Sequence, residues 1–561
     1  FGGGANYVFD QGNFAAGYSD QWAERFPLHQ SEPIAMYVEG FYAQDQYKPL
    51  PNLTFTLGLR LEHDSNPLCR SNCVSNLSQD FSSLPTTRDT PYNKLISAGM
   101  TKGFFEEQTL GVQPRFGFSY QPFGSGSKTT IRGGVGIFND YFPAQIMGDL
   151  IANVPNVDRF TVLGAAYIGA GGFPIAMSAS RPDSGHAIAV ESNNALQTLF
   201  PKGGYYRGAS ACPDPLSIYC ATGGVFARPT VLSVAHKVYL PTYDEWNLSI
   251  EHQVARNTVV GATYVGNRSY HQPVSRLPNA YDAKGTNASL GLARPNAALG
   301  SVTEYYNGSW SNFNGLQATA TTRLGWLTAQ LNYTYGHALD TTSNGGFNAF
   351  GLNSNSQINP YDLKQNYGNA DYDVRHYISA NYALTIPHFH GARILTEGWQ
   401  LSGTIFHNSG YPFSVIDGTT DITYGNYALA KQIDNNFNHK CGGKEHVDTP
   451  CDFASHFTSS TDFGQQRRNQ LFGPNFTDFD TTISKSFRVA PKWESAKLKL
   501  AVQFFNTFNH PNFQLPYADV TAGSSNGTIY AASSTPTSVL GAFLGGDASP
   551  RLIQLKGSFV F

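Results

Sequence analysis

Between Leu53 and Glu62 every second side chain is apolar: Leu53, Phe55, Leu57, Leu59 and Leu61 on one parity, Thr54, Thr56, Gly58, Arg60 and Glu62 on the other. Successive side chains of a strand point to opposite faces, so this run predicts a strand with one apolar and one wet face. The split returns at Trp246, Leu248, Ile250 against Glu245, Asn247, Ser249, Glu251, and at Val374, Ile378, Ala380, Tyr382, Leu384 against Asp373, Arg375, Ser379, Asn381. Collected along the chain, thirteen segments carry it, at about 35–48, 53–63, 112–121, 128–141, 243–254, 258–268, 311–323, 326–338, 372–386, 397–409, 478–489, 496–507 and 551–561.

The connections alternate in length. Short ones lie at 49–52, 122–127, 255–257, 324–325, 387–396 and 490–495, and long ones at 64–111, 142–242, 269–310, 339–371, 410–477 and 508–550. One end of the sheet is therefore trimmed and the other elaborated, the plan of an outer-membrane barrel with short periplasmic turns and long extracellular loops. A soluble sandwich or propeller seldom carries a connection of about 100 residues at one end only. The expected fold is all-β, a transmembrane antiparallel β-barrel over 35–561, with 1–34 an extracellular loop or an incomplete preceding segment.

Composition agrees. Glycine contributes 56 residues and aromatics 14%, with 39 Phe and 31 Tyr against 4 Met, which suits strands and turns. A formal charge of −3 without a basic tract gives a nucleic-acid backbone nothing to bind. Glycines and Pro174 interrupt the apolar run 160–180, and 520–546 is mostly small and polar, so neither predicts a spanning helix.

Six cysteines fall into three close couples, Cys69 with Cys73, Cys212 with Cys220 and Cys441 with Cys451, each inside one long connection. Disulfides in an oxidising exterior are the preferred reading. The spacing of His439, Cys441, His446 and Cys451 with Asp448 leaves zinc as the alternative. Trp246, Trp310, Trp326, Trp399 and Trp493 stand near strand ends, as interfacial girdles require. The wet parity supplies candidate lumen residues of both signs: Arg60, Glu62, Arg115, Arg132, Glu245, Glu251, Arg323, Asp373, Arg375, Asp478, Asp480 and Arg488. No catalytic motif stands in a fitting context, and no cofactor is expected. Loop aromatics such as Tyr205, Tyr206, Tyr305, Tyr306 and Trp310 are placed to grip a glycan, a peptide or a surface protein.

An open sheet cannot cross hydrocarbon, because every unpaired edge amide there costs several kcal/mol. With the last strand descending to the periplasm, an odd count makes the first descend too, so at least one ascending strand is expected to precede it.

Several stretches carry a family resemblance: Tyr42–Lys48 with Asn52–Glu62, Pro114–Phe118, Ile131–Phe138, Thr258–Arg268, Phe504–Phe513 and Pro550–Leu555. Together they resemble the barrel of Oar-like TonB-dependent outer-membrane transporters. The resemblance implies a carboxypeptidase-regulatory-like module, a plug and a 22-stranded barrel of the plugged-transporter class. These strands would be its C-terminal thirteen, lacking the plug and N-terminal strands. It also implies a Gram-negative outer membrane with its lipid, energising by the inner-membrane TonB complex, and Phe561 as the signal read by the barrel assembly machinery. The expected function is transport of a large solute such as an oligosaccharide, peptide or protein. The alternatives are a partner-binding scaffold, a porin-like channel, or a secreted sandwich enzyme or lectin.

Overall fold

The computed structural model describes residues 5–8, 18–19, 21–28, 32–87, 90–142, 146–163, 173–174, 190, 193–194, 196–198, 200–202, 229–279, 294–343, 362–387, 393–423, 426–442, 444–459, 466–488, 496–529 and 550–560. Thirteen strands follow one another in chain order through a single sheet. They are β1 (Val38–Leu50), β2 (Leu53–Asp64), β3 (Leu110–Tyr120), β4 (Thr129–Asn139), β5 (Thr242–Ala255), β6 (Thr258–Arg276) and β7 (Val302–Arg323), then β8 (Leu327–Asp340), β9 (His376–Thr385), β10 (Trp399–Asn408), β11 (Phe476–Arg488), β12 (Lys497–Phe505) and β13 (Leu552–Val560). Each pairs antiparallel with the next, so the sheet is one continuous meander. Among the described residues no helix is long and apolar enough to cross a membrane.

Register turns the alternation of each strand into one face of the sheet. Phe116 stands opposite Leu57 and Val135, Leu248 opposite Tyr264, Tyr264 opposite Leu316 and Leu316 opposite Tyr335. The row continues through Leu384, Leu401, Ile483, Val502 and Leu555. These side chains are not buried by protein; Leu248 is 47% exposed and Leu555 78%. An exposed apolar surface this continuous needs a nonaqueous neighbour, and lipid supplies it. Two acids break this parity on β1, Glu39 opposite His63 at its upper end and Asp45 opposite Leu57. Trp246 lies so close to its neighbour on β6 that a Cβ at Gly266 would sit 2.4 Å from the indole nitrogen, which is why a glycine stands there.

At the trimmed end a cation ties one of the turns. Lys485 belongs to the outward parity of β11, opposite Trp399 and Leu500. Its ammonium turns toward the edge, donating to the carbonyls of Leu395 at 2.8 Å and Glu397 at 3.1 Å, 4.5 Å from the centre of the Trp399 ring. Charged donors to carbonyls contribute about 1.5–3 kcal/mol each, less what water returns once they are removed. Lys485→Met is therefore expected to lower the urea-unfolding free energy of the detergent-folded protein by about 2 kcal/mol. An unchanged midpoint would show that the ammonium is solvated and does not tie the turn.

The buried apolar core lies in the long connections, not between the strands. One cluster joins Leu77, Leu95, Ile96, Phe200, Leu299 and Val302. A second gathers Val74, Phe104, Phe142, Ile146, Met147 and Leu150 around the Cys69–Cys73 disulfide. A third packs Phe413, Val415, Phe437, Phe453 and Leu471 around Cys441–Cys451. The described parts of these connections are thus folded caps.

Three sequence expectations are corrected. The predicted loop 269–310 is shorter, because β6 runs on to Arg276 and β7 begins at Val302. Tyr305, Tyr306 and Trp310 consequently lie in a strand: the Tyr305 hydroxyl donates to Asp149, and Arg276 covers the Tyr306 ring at 4.5 Å. They hold the cap together instead of standing free for a ligand. Asp373 and Arg375 precede β9, which starts at His376, so they belong to its rim. Residues 5–8 and 21–27 of the amino-terminal segment form a small sheet with Val157–Leu163.

Candidate functional site

The inward parity of the sheet places most of the charged candidates on one side. Arg60 and Glu62, two residues apart on β2, form an ion pair that Gln113 joins through a 3.5 Å hydrogen bond to Glu62. Arg115 donates to Gln113 at 3.2 Å and lies 4.3 Å over the Phe138 ring. Arg132 on β4 reaches Glu251 on β5 at 2.9 Å. Glu245 stands opposite Gly136 and Asn267, Arg323 opposite Thr328, and Arg488 opposite Lys497. Asp480 accepts the Asn506 amide at 3.0 Å, and Asp478 is buried on the same parity. Glu245, Arg323 and Asp480 form no ion pair among the described residues, and the Arg488 side chain lies outside them. The result is a polar wall of both signs in three separate clusters, not one concentrated site.

At the elaborated end the strands enter a network that sequence reasoning missed. Arg468, 5% exposed, pairs with Asp340 at the top of β8 and donates to Asp371 and Ser343, both at 2.8 Å. Asn469 beside it donates to Asp371 at 2.6 Å and to the Asn369 carbonyl at 2.8 Å, and Asn369 returns a 2.7 Å bond to the Asn469 carbonyl. Arg375 donates to Asp373 at 2.8 Å and to Asn369 at 3.1 Å, and Asp373 accepts the Ala338 amide. Connection 410–477 is thereby fastened to connection 339–371 and to the rim of β8 and β9. Arg468 carried no sequence signal, because it sits in a long connection without periodicity and its two carboxylates are about 100 residues away or more. Only the side-by-side pair Arg467 and Arg468 in an otherwise uncharged stretch could have drawn notice.

Two acids with raised proton affinity lie in the first cap, one buried and one half-buried. Asp158 is fully buried; Gln197 donates to one of its oxygens at 2.8 Å, and the other has no partner among the described residues. Burial pushes its carboxyl up to about 7. Glu107 is likewise pushed to about 7, by burial first and then by the negative charge of Asp64. A folded acid that binds its proton more tightly than the unfolded one stabilises the fold below the unfolded value and loses that contribution as pH rises through the folded value. Between pH 4 and 7 the cap is therefore expected to weaken as pH rises, by up to about 4 kcal/mol for Asp158. Hydrogen exchange in 146–163 should be slower at pH 5 than at pH 8 after correction for intrinsic rates, and Asp158→Asn should abolish the difference.

Among the described residues one group has metal-ligand spacing: Glu32 with Cys69 and Cys73. The two sulfurs are joined in a disulfide and offer no thiolate. Cys441 and Cys451 are joined as well, which removes the sulfur ligands of the zinc alternative. Cys212, Cys220, Tyr205, Tyr206, Trp493 and Phe561 lie outside the described residues.

The family model described as "Outer membrane beta barrel domain" matches residues 3–554. A search of curated proteins finds no match. Among solved structures the chain is similar to the ferric citrate transporter FecA in its unliganded form, at 12% identity and a TM-score of 0.38, covering 97% of this chain and 46% of that one. It is similar to the FrpB iron transporter from Neisseria meningitidis at 10% identity and 0.38, covering 91% and 51%. The outer membrane transporter YddB from Escherichia coli follows at 10% and 0.36, covering 96% and 59%. The chain spans about half the length of these proteins. With the family model matching nearly every residue and the register placing one apolar face outward, this chain belongs to the outer-membrane β-barrel domain family.

Proposed function

We propose that the chain is the C-terminal thirteen strands of a 22-stranded TonB-dependent transporter that moves a large solute, such as an oligosaccharide, peptide or protein, across the outer membrane. The observation that carries this reading is the inward wall of both signs, running from Arg323 near the trimmed end to Arg375 at the rim. A barrel this wide cannot be filled by its own side chains and leaks unless plugged. Paired charges facing a plug form contacts that a pulling force can break. The outer edges of β1 and β13 are where the remaining strands would join, since a membrane sheet must close. The inner-membrane TonB complex and the barrel assembly machinery are the proposed partners.

The test is conductance of the full-length protein in planar bilayers, before and after deletion of its plug. Transport by a gated plug predicts a closed protein that conducts once the plug is gone. Steady conductance of the intact protein would favour a passive channel.

One observation supports a scaffold as second reading. The long connections carry their own apolar cores and disulfides, so they offer a fixed surface to a protein or glycan partner. Stable co-purification of one surface protein, lost when 426–459 is replaced by a short linker, would favour it.

A further inference from the structure

On the outward face of β8 to β11, where the apolar rows give way to the caps, the side chains change character. Tyr335 stands opposite His376, Ile378 opposite His407, and His407 opposite Thr477. The next row below them on the same face is apolar, with Ala380, Ile405 and Phe479 side by side. His510, in the segment after β12, lies within electrostatic reach of His407, as does His376. Three imidazoles thus share the boundary between hydrocarbon and water, the depth at which lipid headgroups lie.

Their orientation is set. The Tyr333 hydroxyl bonds His376 Nδ1 at 2.9 Å while the Tyr333 and Tyr335 rings pack against the imidazole. Thr477 Oγ1 bonds His407 Nδ1 at 2.8 Å. Nε2 of neither histidine has a partner among the described residues. In the tautomer where each hydroxyl donates to Nδ1, Nε2 carries the ring proton and both rings offer an N–H at one level.

Charge is segregated across the sheet. No Asp or Glu occupies an outward position on β8 to β12, whereas Asp478 and Asp480 project from the opposite face of β11. Phe508, 69% exposed, packs edge-on against Phe479 just below the cluster and adds apolar surface at acyl-chain depth.

We propose that Tyr333, His376, His407, Thr477 and His510 form a binding site for the phosphate group of an anionic outer-leaflet lipid, whose acyl chains lie along Ile378, Ile405 and Phe508. The imidazole N–H groups hydrogen-bond the phosphate oxygens, and the acid-free outward face leaves nothing to repel them. Clustered donors beside an apolar surface at headgroup depth are the recognised chemistry of lipid-phosphate sites.

The test uses the full-length protein extracted from outer membranes, with lipid retention read by native mass spectrometry. Wild type should retain a bisphosphorylated glycolipid at least about tenfold more tightly than its dephosphorylated counterpart. The double variant His376→Phe, His407→Leu should lose that preference, with barrel assembly checked by heat-modifiable gel mobility. Should it not assemble, His510→Gln, at an exposed position, carries the same test and should retain several-fold less phosphorylated lipid. Equal retention of both glycolipids by wild type, or unchanged preference in the assembled variants, would overturn the proposal. Displacement of the lipid by millimolar inorganic phosphate would make this a free-phosphate site and equally remove the lipid assignment.

Discussion

Replacing Arg468 by Leu is expected to release connection 410–477 from the rim, at a local cost of about 3–5 kcal/mol. The size follows from what is left behind. Arg468 is almost fully buried and is shared by Asp340 and Asp371, and Asp340 itself is 2% exposed. Removing the cation strands Asp340 and crowds it against Asp371, and an uncompensated buried charge is the costly outcome of breaking such a pair. The barrel strands should be untouched, because the network lies beyond their membrane-spanning parts. Hydrogen exchange in 362–371 and 466–472 should accelerate by a factor of about 100 or more, while the amides of β9 and β10 keep their protection. The triple change Arg468→Leu, Asp340→Leu, Asp371→Leu should recover much of the loss, because apolar replacement of a whole buried ion network is often neutral. Exchange in Arg468→Leu equal to wild type would mean that the apolar cluster around Phe453 alone holds the cap.

The second large effect is expected on the outward face. Leu248 stands opposite Gly133 and Tyr264 near the middle of β5 and is exposed to the surroundings. Leu248→Arg places a guanidinium in hydrocarbon, at about 2–4 kcal/mol near the bilayer midplane. Its sequence neighbour Asn247 stands opposite Gly134 and Val265 on the other face, with glycine on one side leaving room. Asn247→Arg should therefore assemble normally. Refolding yield into lipid vesicles, read by gel mobility with and without heating, should fall for the first variant and not for the second. If both assemble equally, or the order reverses, the two faces have been assigned the wrong way round.

Strand number and parity were readable in the sequence because a strand states its geometry locally. Leu53 to Leu61 need only alternate for lipid to select one face, and all thirteen predicted segments coincide with strands of the main sheet. Boundaries at the elaborated end were less readable. There β6 and β7 leave the membrane and continue through Ser269–Arg276 and Val302–Ser309, where both faces meet protein and alternation is no longer demanded.

The charged wall was partly readable. Arg60 and Glu62 share a face by spacing alone, and their pairing needed nothing further. The pairing of Arg132 with Glu251 required the register between β4 and β5, which distant residues set.

The alternation of side chains and the rhythm of connection lengths by themselves determined that this protein is an antiparallel sheet with one face to lipid, since period 2 acts over neighbouring residues and hydrocarbon tolerates no other reading of it. Where Arg468 meets Asp340, and how His376, His407 and His510 come to share one depth, was decided only by the tertiary structure. Those contacts join residues about 30 to 130 positions apart, and no local pattern encodes a partner that closure of the sheet alone brings near.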